Sequence, residues 1–317
     1  MSERDRTGER SGPDGPDRLA ACFDEQRGRL GALAYRMLGS SGEAEDAVQE
    51  AWLRLARTAP GEVDNLPAWL RTVVTRICLD LLRSRAARRE ELTAELPDGF
   101  RPGPGADGGP APDGGLAPDG APEEQALLAD AVSQALLVVL DTLEPAERIA
   151  FVLHDSFGVP FAEIAPIIGR TPETTKKLAS RARQKVRGTP AIPAARLAEH
   201  RRVVAAFLAA ARDGDLAGVL NVLAPDVVRR SDAAALRPGV PAVVRRARAV
   251  AEGTVRNVGR ARIAELALVN GDVGAIVVTR GRPWIVLAFT IDDGLITEYD
   301  VIADPARLRD LSLAVLD

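Results

Sequence analysis

The stretch Thr142–Gly188, TLEPAERIAFVLHDSFGVPFAEIAPIIGRTPETTKKLASRARQKVRG, decides how this part of the chain folds. Leu143-Glu144-Pro145-Ala146-Glu147 starts a helix: proline suits the first turn, and acids suit the positive end of the helix dipole. Val159–Ile168 reads as a short second helix, and Gly169-Arg170-Thr171-Pro172 as a turn. Thr171 is the natural N-cap of a third helix, Glu173–Arg187, with Pro172 at its first position. That helix carries Lys176, Lys177, Arg181, Arg183, Lys185 and Arg187 against a single acid, Glu173. Leu178, Ala182 and Val186 recur at i, i+4 and i+8 and give it a packing side. A short helix, a tight turn and a basic amphipathic helix make a helix-turn-helix, the second helix entering the major groove. A basic surface helix in a plain α-hairpin is the alternative.

Upstream, helical periodicity runs from about Leu19 to Arg89, broken at TAPGEVDNLP by turn-forming residues. Before the break, Ala47, Ala51 and Leu55 share one face of a helix with Val48 and Trp52 beside them. Glu43, Asp46, Gln49, Glu50 and Leu53 lie around the other side. This acidic face is either ordinary solvated surface or a docking face. After the break, Leu66, Leu70, Val73, Ile77 and Leu81 have the spacing of a buried stripe. Arg71, Arg76, Arg83, Arg85, Arg88 and Arg89 leave a basic outer surface able to neutralise phosphates. Residues 96–122 are rich in Pro, Gly and Asp and can form no packed core, so they read as a flexible linker, as do the polar residues 1–17.

Downstream, Gly188, Pro190 and Pro193 form a second, shorter joint. An amphipathic helix covers about Leu197–Arg212 with Gly214 as its stop, a shorter one covers Leu216–Val222, and Val243–Ala251 reads as another. Alternating or apolar runs follow: Ile263–Val269, Val273–Thr279, Trp284–Ile291 and Leu295–Ile302. Asn270-Gly271-Asp272, Gly281-Arg282-Pro283 and Asp292-Asp293-Gly294 between them are hairpin signals. Helices followed by an antiparallel meander predict an α+β domain. The expected organisation is therefore a disordered start (1–17), two helical modules (18–92 and 123–188) separated by a linker (93–122), a joint (189–196) and an α+β domain (197–317).

Composition narrows the function classes. With 317 residues the chain has room for two or three domains at roughly 100–200 residues each. No apolar run approaches a membrane span, and the start lacks the apolar core of a signal peptide, so a cytoplasmic location is expected. Two cysteines, Cys22 and Cys78, make neither a disulfide framework nor a zinc set, and two histidines, His154 and His200, are too few for a histidine metal site. No cofactor is expected. The net charge of −4 argues against a general nucleic-acid coat. Its distribution points the other way, since all three lysines fall in the basic helix above.

Together these segments resemble the extracytoplasmic-function (ECF) sigma factors of RNA polymerase. GEAEDAVQEAWLRL is similar to their core-polymerase-binding helix in region two, LPAWLRTVVTRICLDLLRSRAARRE to the promoter-melting helix, and the opening stretch to region four. The resemblance implies that Asp46, Gln49, Glu50 and Trp52 contact the coiled coil of the large catalytic polymerase subunit. It implies that the turn from Pro60 to Leu66, Asn65 included, captures an unstacked base of the minus-ten element, beside Arg71, Arg76 and Arg83. Thr174, Thr175, Lys176, Lys177, Arg181 and Arg183 fall on the helix that reads the minus-thirty-five element. The C-terminal part resembles the SnoaL-like (NTF2-like) extension of one sub-group, in VLAPDVVRRSD, LRPGVPAVVRRA, VNGDVGAIVV and ADPARLRDL. That sub-group commonly has Asp-Gly-Gly-Gly where this chain has Asp232-Ala233-Ala234-Ala235, and Asn-Pro-Asp-Lys-Leu where it has Asp304-Pro305-Ala306-Arg307-Leu308. Its Trp-Leu-Pro-Glu-Pro linker motif is reduced here to Glu95-Leu96-Pro97-Asp98-Gly99.

The resemblance implies an all-α sigma region two and a helix-turn-helix region four, followed by an α+β cone. It implies core RNA polymerase and promoter DNA as partners, no membrane, no catalytic residues, and a C-terminal domain regulating activity in cis. Asp232, Asp304, Pro305, Arg307 and Leu308 are the candidate regulatory contacts, and a small-molecule ligand in that domain is a further possible partner. Two other readings remain: a ligand-sensing helix-turn-helix regulator, and a SnoaL-type enzyme fused to a DNA-binding module. Enzyme chemistry would need a placed acid and base. No histidine follows His200.

Overall fold

A computed structural model describes residues 16–58, 63, 65–94, 133–279 and 282–316. The disordered start and the linker expected from sequence lie outside the described residues, except that Pro16 opens the first helix and residues 93–94 close the third. Packing divides the described residues into two compact units, with boundaries at 125/126, 151/152 and 175/176. Each is described by itself.

The first unit holds α1 (Pro16–Leu38), α2 (Ser41–Leu55) and α3 (Leu66–Ala94). Gly39, at positive φ, ends α1, and the Ser40 side chain accepts from the Glu43 N–H to open α2. Ala44, Ala47, Val48, Ala51 and Leu55 of α2 are buried, at the expected helical spacing. The α3 stripe is buried at Leu70, Val73 and Ile77, joined by Val74, Cys78 and Leu82. Phe23 and Trp52, with ring centroids 5.0 Å apart, join α1 to α2. This unit also contains the π-turn Val152–Ser156 and α6 (Phe161–Ile168), where the His154 ring stacks on Phe161 and its Nδ1 lies 3.0 Å from the Val159 carbonyl. His154 is thus a structural residue.

The second unit begins with α4 (Gln134–Asp141) and α5 (Pro145–Phe151). Buried Arg148 pairs with Asp141 at 3.2 Å, and buried Glu147 accepts from Lys185 of α7 (Pro172–Arg187) at 2.7 Å. Then come α8 (Ala194–Asp213) and α9 (Leu216–Asn221), followed by β1 (Leu223–Ser231) and β2 (Val243–Arg245). After α10 (Ala247–Val255) and α11 (Val258–Arg262) run β3 (Ala264–Val269), β4 (Asp272–Thr279), β5 (Arg282–Asp292) and β6 (Leu295–Ile302). α12 (Pro305–Asp310) and β7 (Leu313–Val315) finish the domain. The seven strands form one sheet in the order β2-β1-β6-β5-β4-β3-β7, antiparallel except where β1 runs parallel to β6. The meander β3–β6 is the one expected. Two of its turns use the expected residues at positive φ, Asn270-Gly271 and Asp293-Gly294, as a two-residue hairpin requires.

Two readings are corrected. Val243–Ala251 is not one helix: its first three residues pair with β1, and Arg246, at φ 76, breaks the chain before α10 begins. Pairing with a sheet edge overrides local helical periodicity there. β1 itself is not foreseen from sequence, because Pro225 sits inside it. The register shift between Leu223 and Val228 accommodates that proline.

The sheet is apolar on both faces. On one, Val204, Phe207, Val219, Val227, Val250, Phe289, Ile296 and Tyr299 form the main core with α8–α10. On the other, Ala267, Val269, Ile276, Val286 and Ile302 pack with Ala135 and Val138 of α4, and Leu308, Leu311 and Leu313 pack against them. Double-sided burial explains why β4 reads as a continuous apolar run rather than an alternation. The α+β domain that the SnoaL-like resemblance implies is present, with α4 added to its second face.

Candidate nucleic-acid interface

The basic helix α7 begins as its sequence requires. Gly169, at φ 68, turns the chain, and Thr171 Oγ1 accepts the Thr174 N–H at 3.2 Å as N-cap. Ala179, Ala182 and Val186 are buried and Leu178 is half-buried, so the opposite side faces solvent. Lys176, Lys177 and Arg181 are exposed there and form no ion pair among the described residues. Thr174 and Arg183 are half-buried. Thr175 departs from expectation: it is fully buried and its hydroxyl donates to the Thr171 carbonyl at 2.9 Å. One helical position places Thr175 against the core, so it does not belong to the exposed face.

On α3, Arg76 and Arg83 are exposed, and Arg83 comes no nearer than 3.9 Å to Asp80. Arg71 is engaged elsewhere, donating to Glu163 of α6 at 2.6 Å, and Arg85 pairs with Glu43 and donates to the Leu38 carbonyl. The basic surface read from sequence is therefore smaller than the arginine count implied. Asn65 is exposed and its Oδ1 accepts the Ala68 N–H, so it caps α3. Of the turn from Pro60 to Leu66, only residues 63, 65 and 66 are described.

The acidic face of α2 is smaller than read, because Glu43 is taken by Arg85. Asp46 and Gln49 are exposed, and half-buried Glu50 pairs with Arg54 at 2.9 Å. Beside them Leu53 is 48% exposed. Trp52 is half-buried against Phe23.

The candidate regulatory residues meet one another at the end of β6. Asp232 Oδ2 accepts the Ala303 and Asp304 N–H groups at 3.0 Å, and Arg307 pairs with Asp232 and, at 3.5 Å, with Asp300. Asp304 caps α12, with Pro305 at its start. Burial of Asp232 would raise its pKa, but the two backbone donors and the Arg307 guanidinium outweigh it, and its carboxyl is held below the usual range. Arg307 is correspondingly raised: burial lowers it, but Asp232 and Asp300 prevail. Asp232, Asp304 and Arg307 thus latch their own domain, while Leu308 turns to the sheet face that α4 covers.

Comparison with known proteins identifies the family. Residues 22–88 match the family model of Sigma-70 region 2, and residues 133–186 that of Sigma-70 region 4. The chain is 36% identical to a probable ECF RNA polymerase sigma factor, SigI, of Mycobacterium tuberculosis, over 93% of this chain and 96% of that one. It is 38% identical to ECF sigma factor SigJ of the same species, over 90% and 91% of the two chains. The chain belongs to the ECF RNA polymerase sigma factors. A crystal structure of M. tuberculosis SigJ matches at 33% identity and a TM-score of 0.43, covering 92% of this chain and 98% of that one.

As an ECF sigma factor the protein directs promoter-specific transcription initiation by RNA polymerase. Its region 2 match spans most of α1, all of α2 and most of α3, and its region 4 match runs from α4 to the last turn of α7. A free-standing helix-turn-helix regulator would lack the first of these. Sigma factors are not an enzyme family. Among the described residues no helix is long and apolar enough to cross a membrane, and no cluster of His, Cys, Asp and Glu could hold a metal. His200 is buried, with Nδ1 2.8 Å from Asp272, so it is a structural residue.

One helix-capping residue escapes the sequence reading. Glu265, on β3, receives the start of region 4: its carboxylate accepts Ser133 Oγ at 2.6 Å and the N–H groups of Gln134 and Ala135 at 3.2 and 3.1 Å. A lone acid in a strand gives no sign that it caps a helix 131 residues earlier.

Proposed function

We infer that this sigma factor docks on core polymerase through Asp46, Gln49, Glu50, Leu53 and Trp52. It meets promoter DNA through Arg76 and Arg83 on α3 and through Thr174, Lys176, Lys177, Arg181 and Arg183 on α7. Its C-terminal domain regulates it in cis and performs no catalysis. The protein works in the cytoplasm, where polymerase and promoter are. The observation that carries the regulatory reading is the Glu265 carboxylate on the N-terminus of α4. A carboxylate there satisfies orphan N–H groups and complements the helix dipole. Ala135 and Val138 then bury themselves on the sheet. The first helix of region 4 is in this way part of the C-terminal domain's second face. Polymerase and DNA act on region 4, so a domain that holds one of its helices can set its availability.

Runoff transcription with core polymerase tests this, comparing the full chain with Glu265→Lys, which puts a cation at the positive end of α4. Hydrogen exchange at the α4 amides should quicken in the variant, and promoter-specific transcription should change by about fivefold or more, the lower end of ordinary coupling between sites. Quickened exchange with unchanged transcription would refute regulation through this contact. Unchanged exchange would refute the clamp itself.

A further inference from the structure

Arg229 lies on β1 with its side chain on the core face, beside Tyr299 in the parallel register and two residues from buried Val227. It is only 8% exposed. A guanidinium has five N–H donors and keeps its charge in proteins, so burying one requires acceptors or a counter-charge. Arg229 has little of either. Its Nη2 donates to the Pro241 carbonyl at 3.3 Å, and its Nε has no hydrogen-bond partner. No carboxylate comes within ion-pair distance of it among the described residues.

The acids on the neighbouring elements pair with other arginines, although Asp300 Oδ1 is itself buried without a hydrogen-bond partner. Glu298 and Asp300, either side of Tyr299, pair with Arg230 and Arg307. Glu252, on α10, pairs with Arg248 and lies 3.9 Å from Arg256. Gly253, the next residue, leaves room for the guanidinium, since a Cβ there would stand 3.1 Å from Arg229 Nη1. The surroundings are apolar and aromatic. Phe207, Phe289 and Tyr299 form a mutually packed trio with centroids 5.4–5.6 Å apart. The Tyr299 hydroxyl bonds to Thr254 Oγ1 at 3.0 Å, and Thr254 Oγ1 in turn donates to the Val250 carbonyl. Burial pushes the Tyr299 phenol upward, outweighing Thr254 and Arg229, so it stays neutral and offers no counter-charge.

We propose that the C-terminal domain binds a small organic monocarboxylate, its carboxylate on Arg229 and its apolar body against the Phe207–Phe289–Tyr299 trio. The planar fork of a guanidinium matches a carboxylate with two parallel hydrogen bonds, which makes this anion the fitting one. The segment around Pro241 is the way in. It is solvent-facing, and Val240 and Val243, 41% and 47% exposed, give it an apolar edge. The site rests on this domain's own geometry and stands or falls apart from cis regulation.

Isothermal titration of the full chain, at constant ionic strength, tests the site with four probes: benzoate, hexanoate, the neutral benzamide, and inorganic phosphate. One equivalent of benzoate or hexanoate should bind with a dissociation constant below about 1 mM, and benzamide and phosphate at least about tenfold more weakly. Arg229→Lys keeps the charge and removes the fork, and should weaken benzoate about tenfold. Gly253→Ala, a change that favours a helix, puts a methyl against Nη1 and should weaken it severalfold. The second variant decides the matter if the first does not melt cooperatively. The proposal is overturned if neither carboxylate saturates by about 10 mM. It is equally overturned if benzamide or phosphate matches benzoate, or if the folded variants bind as the parent does.

Discussion

The recognition helix and the C-terminal sheet use cations in opposite ways. On α7, Lys176, Lys177 and Arg181 stand in solvent, and no acid among the described residues pairs with them. In the C-terminal domain Arg230 and Arg307 are tied to carboxylates, and Arg212 to the carbonyls of Ala261 and Ala264. In the sheet domain the protein's own acceptors thus hold Arg212, Arg230 and Arg307, whereas buried Arg229 has only the Pro241 carbonyl, which is why a ligand is assigned to it.

The sharpest way to break this contrast is on α7. Replacing Lys176, Lys177 and Arg181 with Ala together should cost promoter affinity roughly a hundredfold, since a base contact carries about 1–3 kcal/mol. The slope of log affinity against log salt should flatten by about 0.9 for each phosphate that is no longer neutralised. The helix should still form, because its packing side is untouched. Fluorescence anisotropy over a salt series measures both quantities. Unchanged affinity and slope would mean that these cations are mere solvated surface.

A smaller effect is expected from the acidic helix, the mirror case in which carboxylates await a partner. Asp46→Arg with Glu50→Arg should weaken core binding by about tenfold or more through like-charge repulsion. Glu50 already pairs with Arg54, so the double reversal also sets three cations at four-residue spacing, at positions 46, 50 and 54, costing the helix about a few tenths of a kcal/mol for each like-charge pair. Melting the variant alone separates that cost from the weakening seen in a core-polymerase pull-down. Undiminished pull-down at moderate salt would remove α2 from the polymerase interface.

How far these surfaces are legible from sequence follows from the range of the interactions. The α7 N-cap, the two turns Asn270-Gly271 and Asp293-Gly294, and the buried stripes of α2 and α3 depend on residues within a turn or two. All are readable. Thr175 shows the grain of that reading: periodicity places it on the helix, but one position of rotation takes it from the exposed face into the core. Arg71 and Arg85 look like free surface charge because their partners, Glu163 and Glu43, lie 92 and 42 residues away. β1 is hidden by Pro225, and Glu265 by the distance to Ser133. Nothing local distinguishes an acid that caps a remote helix from one that faces water.

The mildest test addresses the paired side of the contrast. Asp232→Asn should lower the melting temperature at neutral pH by a few degrees at most, reflecting a partly exposed latch. Because the folded carboxyl is held below its ordinary range, its contribution is present above that range and disappears as pH falls through the lowered value. Parent and variant should therefore melt alike in strong acid and differ at pH 7. A difference that persists in acid would mean that Asp232 acts through shape rather than charge.

The joint after α7 reads as a tether in the sequence, yet its first residues lie close against the sheet. Gly188, at φ 61, lies where an added Cβ would stand 2.5 Å from the Ala314 Cβ, and the Ala191 N–H donates to the Gly271 carbonyl at 2.7 Å. The basic helix is thus mounted on the β3–β4 hairpin and β7 as a beam is mounted on a pivot. From Gly188 to Lys176 the beam measures about 18 Å at 1.5 Å per residue, so a tilt of about 10° at the sheet swings Lys176 by about 3 Å. That is the width of a hydrogen bond. A strain at the hairpin too slight to disturb the sheet's own pairing would arrive at the far end of the beam as a contact made or missed.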